Sequence, residues 1–179
     1  MNKFAVFLSG VNVGGNNIIK MSELKSALTV NGFKNVESYI NSGNIIVSHN
    51  DDMAKVKNII KEIIESEFKL NIEMVIKTES GIGGIIRNDP FNKTEDDNSK
   101  KVVVMLSGTA DKKMVSMFKN DERIEENYYH HDDLIYVYYH NGAGKSKFTT
   151  SYIEKKLNVF CTARNWNTIL KMNQMLLID

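Results

Sequence analysis

Little in this chain would hold a fold together covalently or anchor it in a membrane. Cysteine occurs once, at Cys161, which excludes an internal disulfide framework and fits a reducing cytosol. No apolar run approaches the roughly 20 residues that a bilayer-spanning helix needs. The N-terminus offers Lys3 and only the short apolar stretch Phe4-Ala5-Val6-Phe7-Leu8, which does not read as a secretory signal. These absences predict a cytoplasmic protein with no membrane partner, and they make the acceptor-like triplet Asn92-Lys93-Thr94 a chance match. Proline occurs once, at Pro90, and marks a break at Asn88-Asp89-Pro90. An excess of one charge is also missing: 23 lysines and arginines face 22 aspartates and glutamates, so no global field draws the chain to nucleic acid or membrane.

What is present is an ordinary globular composition, 42% hydrophobic and 25% charged, in 179 residues. That length allows one well-buried domain or two small ones without a metal or disulfide staple. The charge is uneven locally. Residues 121–133 hold Asp121, Glu122, Glu125, Glu126, Asp132 and Asp133 against Arg123 alone, while residues 143–172 hold Lys145, Lys147, Lys155, Lys156, Arg164 and Lys171 against Glu154 alone. An anion-attracting face would therefore draw mainly on the C-terminal region.

Hydrophobic periodicity gives the order of elements. Residues 4–8 read as a buried strand, and Leu24, Ala27 and Leu28 recur at helical spacing until Asn31-Gly32. Residues 36–40 and 45–47 read as strands around the hairpin turn Asn41-Ser42-Gly43-Asn44, in which Gly43 and an asparagine supply left-handed conformations. Val56, Ile59, Ile60, Ile63, Ile64 and Phe68 form one face of a helix over 53–68, and 71–76 reads as a strand. This β-α-β-β-α-β order is that of a ferredoxin-like split βαβ sandwich, expected over residues 1–79.

Residues 80–100 read as a linker with a short, glycine-weakened helix at 80–87. A second half over 101–179 repeats the order β-α-β-β-α: a strand at 101–106, a helix at 111–119, a hairpin closing over His131-Asp132-Asp133, a loop at 141–146 and a helix at 148–157. A final helix is expected over 165–177. The fold class is thus α+β, with two ferredoxin-like halves in tandem and an extra C-terminal helix. Sequence identity between the halves is negligible, so an internal duplication rests on element order.

The stretch Ser9-Gly10-Val11-Asn12-Val13-Gly14-Gly15-Asn16-Asn17, between the first strand and helix, is rich in residues that accept positive φ and leave backbone amides open. Such turns hold anions as often as they merely connect, and Asn12, Gly14, Gly15 and Asn16 are its candidate ligand contacts. Asn41, Ser42 and Asn44 are candidate ligand contacts as well, although hairpin geometry alone would account for them, and the split βαβ order is read as placing that hairpin at the opposite edge from the first turn. The loop Gly142-Ala143-Gly144-Lys145-Ser146-Lys147 is not a P-loop, because Tyr139 stands where the motif needs its first glycine. Lys145, Ser146 and Lys147 at an expected helix start could still hold a phosphate. Arg164, Asn165 and Asn167 pair a forked cation with two amides beside Trp166, a combination suited to a phosphate, carboxylate or base, while Trp166 itself reads as the first core residue of the last helix with Asn165 as its N-cap. Cys161 reads as a small buried apolar residue. His130, His131, Asp132 and Asp133 point to alternate faces of a strand, so no metal site is expected. Tyr136 and Tyr138 share a face and, if exposed, could stack bases, although an RNP1 pattern is absent.

Four of these blocks, 9–15, 39–44, 142–147 and Thr162-Ala163-Arg164-Asn165-Trp166-Asn167-Thr168, resemble in order and spacing the bacterial family catalogued as domain of unknown function 1697. The resemblance covers nearly the whole chain and implies a two-part α+β fold and a cytosolic location. It implies no reaction. The family usually carries arginine at the position of Ser9 and glutamine at that of Asn41, so a contact made by that arginine would here be lost or fall to another base.

Three readings of function follow. The first is binding of a phosphate-bearing ligand, a nucleotide or single-stranded nucleic acid, by Gly14, Gly15 and Asn16 with Lys145, Lys147 and Arg164. The second is an enzyme acting on a small phosphorylated or carboxylated metabolite, with His140 as general base. The third is a protein-interaction module using the acidic stretch 121–133. No cofactor is expected in any of them.

Overall fold

The computed structural model describes residues 1–92 and 97–178, apart from the side chain of residue 119. Lys93 and Thr94 of the triplet Asn92-Lys93-Thr94, and part of the expected 80–100 linker, fall on residues 93–96, outside those described. The chain divides into two compact units: Met1–Gly84 with Lys171–Asp179, and Ile85–Leu170.

The first unit is built on β1 (Asn2–Leu8), α1 (Met21–Val30), β2 (Lys34–Tyr39), β3 (Asn44–His49), α2 (Met53–Phe68) and β4 (Met74–Thr78), followed by α3 (Glu79–Arg87). Its sheet is antiparallel throughout, in the order β2-β3-β1-β4. Phe4, Val6, Leu8, Ile45, Val47, Met74 and Ile76 face a core completed by Leu24 and Leu28 of α1 and by Val56, Ile60, Ile63 and Ile64 of α2. Each fully buried aliphatic here contributes about 2 kcal/mol by transfer from water. Asp52 starts α2 by accepting from the Lys55 amide at 2.9 Å, and left-handed Lys69 ends it.

The second unit repeats the plan with β5 (Lys101–Leu106), α4 (Lys112–Ser116), β6 (Asn127–His131), β7 (Leu134–Tyr138), α5 (Thr150–Leu157) and β8 (Cys161–Asn165). The last helix, α6 (Trp166–Leu176), begins in this unit, and its residues from Lys171 on belong to the first. The sheet order is β6-β7-β5-β8, the same arrangement of equivalent strands. Val104, Leu106, Ile135, Val137, Tyr139 and Cys161 pack against Val115, Phe118, Phe148, Ile153 and Leu157. The fold is therefore mixed α+β, two ferredoxin-like halves in tandem with a C-terminal helix.

The inner strands of each sheet are buried on both faces. Ala5, Phe7, Ile46 and Val75 lie opposite the first core, and Val103, Met105 and Tyr136 lie opposite the second, all under 10% exposed. That is why 4–8 and 102–106 read as continuous apolar runs rather than alternating ones. Tyr136 is consequently no exposed stacking platform. It is 1% exposed and its hydroxyl donates to Ile85 O at 3.0 Å, which corrects the base-stacking reading.

Other departures are local. The left-handed residue of the first hairpin, besides Gly43, is Ile40 at φ +49° rather than an asparagine. β4 begins at Met74, three residues later than expected, although Ile72 before it is buried. The helix over 111–119 shortens to α4 and passes into a 3-10 turn at Met117–Asn120. Thr149 accepts from the Tyr152 amide at 3.2 Å and so starts α5 at Thr150, not at 148. The sequence reading missed β8, because Thr162-Ala163-Arg164 carries no apolar run.

Candidate functional site

β1 runs antiparallel to β3 with Phe7 opposite Asn44, so the turn between β2 and β3 lies beside the point where β1 ends. The expectation of opposite edges is thus corrected: the 9–20 loop and the 40–43 turn share one end of the first unit. The Leu8 amide donates to Gly43 O at 2.8 Å, and the Ser9 amide to Glu73 O at 2.9 Å. A Cβ on Gly43 would come within 2.6 Å of Val11 Cγ2 and 2.7 Å of Leu8 Cβ, so only glycine fits that left-handed position.

Asn12 ties the two segments together. Its Nδ2 donates to Asn41 O at 2.7 Å and to Ile19 O at 2.9 Å, and its Oδ1 accepts from the Ile19 amide at 2.9 Å. Beyond it the chain folds back on itself: the Asn12 amide donates to Asn17 O, the Asn16 amide to Val13 O, and Asn17 Nδ2 to Gly10 O at 3.1 Å. At the tip, Gly14 and Gly15 are left-handed, at φ +58° and +79°, with open space around them. Their amides meet no acceptor among the described residues.

The polar residues predicted here separate into two roles. Asn44 is buried and donates to Tyr39 O at 3.2 Å and Ser42 Oγ at 3.0 Å, so Asn44 and Ser42 build the turn, as Asn12 builds the loop. Gly14, Gly15, Asn16 and Asn41 remain on the surface. Around them stand Val13, Ile18 and Ile40, exposed by 62%, 69% and 54%. Residues 4–19 and 38–48 contain no charged side chain, and the nearby Lys20 pairs with Glu23 at 2.9 Å. The sequence reading missed this apolar rim, although three aliphatics beside glycines and asparagines were a visible signal.

The remaining predicted residues belong to the second unit. Lys145 and Lys147 are exposed; Lys145 closes a 3-10 turn at Ala143–Lys145, and Lys147 lies two residues before Thr149, which caps α5, so neither is part of that helix's first turn. Ser146 Oγ accepts from the Phe148 amide at 2.8 Å and shapes the loop. Arg164 donates through Nη1 to Thr162 Oγ1 and Ala163 O, both at 2.8 Å, and burial brings its pKa down to about 10, still well above neutrality. Its charge is thus engaged inside the unit. Asn165 accepts from the Asn167 amide at 2.9 Å, capping α6 as expected, and donates to Ser99 O at 3.0 Å. His140 is exposed, edge-on to Tyr138 at 4.9 Å. Cys161 is buried, and burial with the Glu154 carboxylate pushes its thiol up to about 12.

Two polar clusters of this unit were not anticipated. Lys101 Nζ meets Asp89 Oδ2 at 3.0 Å with both side chains under 8% exposed, and the ammonium lies 5.6 Å from the centre of the Trp166 ring. Asp121 accepts from Arg123 Nε at 2.7 Å, Arg123 Nη2 at 2.5 Å and the Tyr152 hydroxyl at 2.5 Å. Those hydrogen bonds, Arg123 first and Tyr152 next, hold the Asp121 carboxyl well below the usual carboxylate range. The acidic stretch 121–133 is accordingly neutralised in part from within. Among the described residues no three His, Cys, Asp or Glu side chains gather where they could share a metal ion.

A family model described as "Protein of unknown function (DUF1697)" matches residues 1–136. The chain belongs to that family. No curated protein matches it. Among solved structures, the conserved bacterial protein SP0830 from Streptococcus pneumoniae is similar over 98% of both chains, at 24% identity and a TM-score of 0.77. At that identity the likeness is one of fold. The DUF1697 match takes in the whole loop-and-hairpin end of the first unit but stops within β7, so the 142–147 and 162–168 blocks lie beyond it.

Proposed function

We propose that this chain is a binding protein, that its contact surface is the loop end of the first unit, and that it meets another protein there. One observation carries the reading. Asn12 ties two left-handed segments together, while Val13, Ile18 and Ile40 project from them, on segments that themselves hold no charged residue. A β-branched residue at positive φ, such as Ile40, is costly and persists only where its surroundings over-determine it. Rigid apolar tips with an open backbone suit a partner that contributes its own apolar and hydrogen-bonding groups. A chain lacking a membrane-crossing helix among its described residues, with its one cysteine buried, suits the cytoplasm.

A phosphate-bearing ligand is the second reading, favoured by the unengaged amides of Gly14 and Gly15. It lacks support from charge. The bases first assigned to it belong to the other unit, and Arg164 is occupied there. Single-stranded nucleic acid in particular calls for a basic groove.

Partner capture compared across variants separates the two. Val13→Glu with Ile40→Glu should abolish capture of whatever the wild type retains, while Lys145→Glu with Lys147→Glu should leave it unchanged. Nucleotides and oligonucleotides should not move the melting temperature. A saturating nucleotide, at about a hundred times its dissociation constant, would add about 2.7 kcal/mol and raise it by several degrees. Such a shift, lost when Gly14 and Gly15 are replaced, would overturn the protein-partner reading in favour of the second.

A further inference from the structure

Asparagine is followed by glycine twice, at Asn31-Gly32 and Asn141-Gly142. Such a bond is open to attack by the glycine nitrogen on the asparagine side chain, because no Cβ shields that nitrogen and the backbone turns freely. The two pairs are held very differently. Asn31 ends α1 at φ −86° and ψ 20°, with its amide donating to Ala27 O at 3.2 Å and its Nδ2 donating to the same oxygen at 2.8 Å. Bringing its Cγ onto the Gly32 nitrogen means rotating the backbone and breaking both bonds. Asn141 sits third in the turn 139–142, closed by one hydrogen bond from the Gly142 amide to Tyr139 O at 3.1 Å. It is exposed, and its side chain makes no hydrogen bond among the described residues. Gly142, at φ +85°, has no neighbour near the place of a Cβ.

We propose that Asn141 is a covalent modification site, converting spontaneously to aspartate and isoaspartate through a succinimide, and that the fold protects Asn31. The Gly142 nitrogen, having lost its proton, attacks Asn141 Cγ. The N–Cγ bond forms, the Cγ–Nδ2 bond breaks, and Nδ2 takes up a proton and leaves as ammonia. Water then adds to either ring carbonyl. Opening at the Cγ–N bond gives aspartate, and opening at the former main-chain bond gives isoaspartate. Water is the only co-reactant. Lys145 and Lys147 are the only lysines in residues 139–148, a segment without an acid, so the new carboxylate cancels one of their two charges.

The test is incubation of the folded full chain at mildly alkaline pH, with peptide mapping by mass and isoaspartyl methyltransferase labelling. Residue 141 should gain about one mass unit over time while residue 31 stays asparagine. Denaturant should remove the difference by exposing residue 31 to the same reaction. Asn141→Gln should abolish the gain, and Gly142→Ala should slow it several-fold. Conversion at residue 31 of the folded chain that keeps pace with residue 141 would overturn the proposal. So would a residue 141 that stays intact over a period in which the unfolded chain converts there.

Discussion

In the first unit the amide of Leu8 donates to Gly43 O and that of Ser9 to Glu73 O; in the second, Leu106 donates to Asp133 O and Ser107 to Phe160 O, all at 2.8 to 2.9 Å. The chain writes Leu-Ser-Gly at both places, Leu8-Ser9-Gly10 and Leu106-Ser107-Gly108, and at the same offset Lys3 of β1 matches Lys101 of β5. From this common frame the ends diverge. The first unit inserts a 9–20 loop braced by Asn12, beside a turn that needs Gly43. The second passes quickly to α4 and closes its hairpin with Asp132 and Asp133, Asp132 being left-handed at φ +53°. The sheet supplies the frame, and the loops at one end carry the difference, which is where binding surfaces are usually grafted.

The matched lysines allow the strongest test of that comparison. Lys101 is buried against Asp89, whereas Lys3 is half-buried and donates to Ile178 O at 2.6 Å and Leu176 O at 3.4 Å. Lys101→Met leaves an uncompensated buried carboxylate and should cost about 3 kcal/mol in denaturant unfolding, with Asp89→Leu in the same chain recovering much of it. Lys3→Met should cost about 1 kcal/mol. Equal losses would mean that the burial difference carries no energy.

Gly43→Ala should cost about 3 kcal/mol, since its methyl meets Val11 and Leu8 in a left-handed backbone. Gly142→Ala, also at positive φ but in open space, should cost about 1 kcal/mol. A similar loss at both would show that backbone strain rather than close approach requires glycine at position 43. Asn12→Ala should lower stability by about 2 kcal/mol and raise hydrogen exchange at the Ile19 amide, because the loop loses the brace that the second unit never had.

The smallest effect concerns Asp121. Its carboxyl is depressed in the folded state by Arg123 and Tyr152, so its contribution is present above the unfolded value near 3.8 and is lost as the pH falls below that. Chemical unfolding below about pH 4 should therefore show a steeper acid loss in the wild type than in Asp121→Asn. Parallel curves would remove the role of this cluster in the second unit.

Much of the frame was legible in the residues. The spacing of Val56, Ile60, Ile63 and Ile64 located α2, and the runs 4–8 and 101–106 located the central strands, because local periodicity reports the face that each element buries. β8 was not legible, since its Thr162 and Arg164 are held by pairing to β5 and not by any apolar pattern of their own. The site was half legible. The glycines and asparagines of 9–17 announced a special backbone, but their sequence could not tell a ligand contact from a brace. Asn12 and Asn44 proved to be braces because their acceptors, Asn41 O and Tyr39 O, reach them only through strand pairing. By itself the sequence determined the order of the main elements apart from β8, the α+β class and the absence of any strong overall charge, all of which follow from composition and local spacing. Only the tertiary structure decided that two distant turns share one end, that Tyr136 is buried, and that Lys101 finds Asp89. Each of those depends on which strands pair and in what register, a long-range choice that no local window of residues contains.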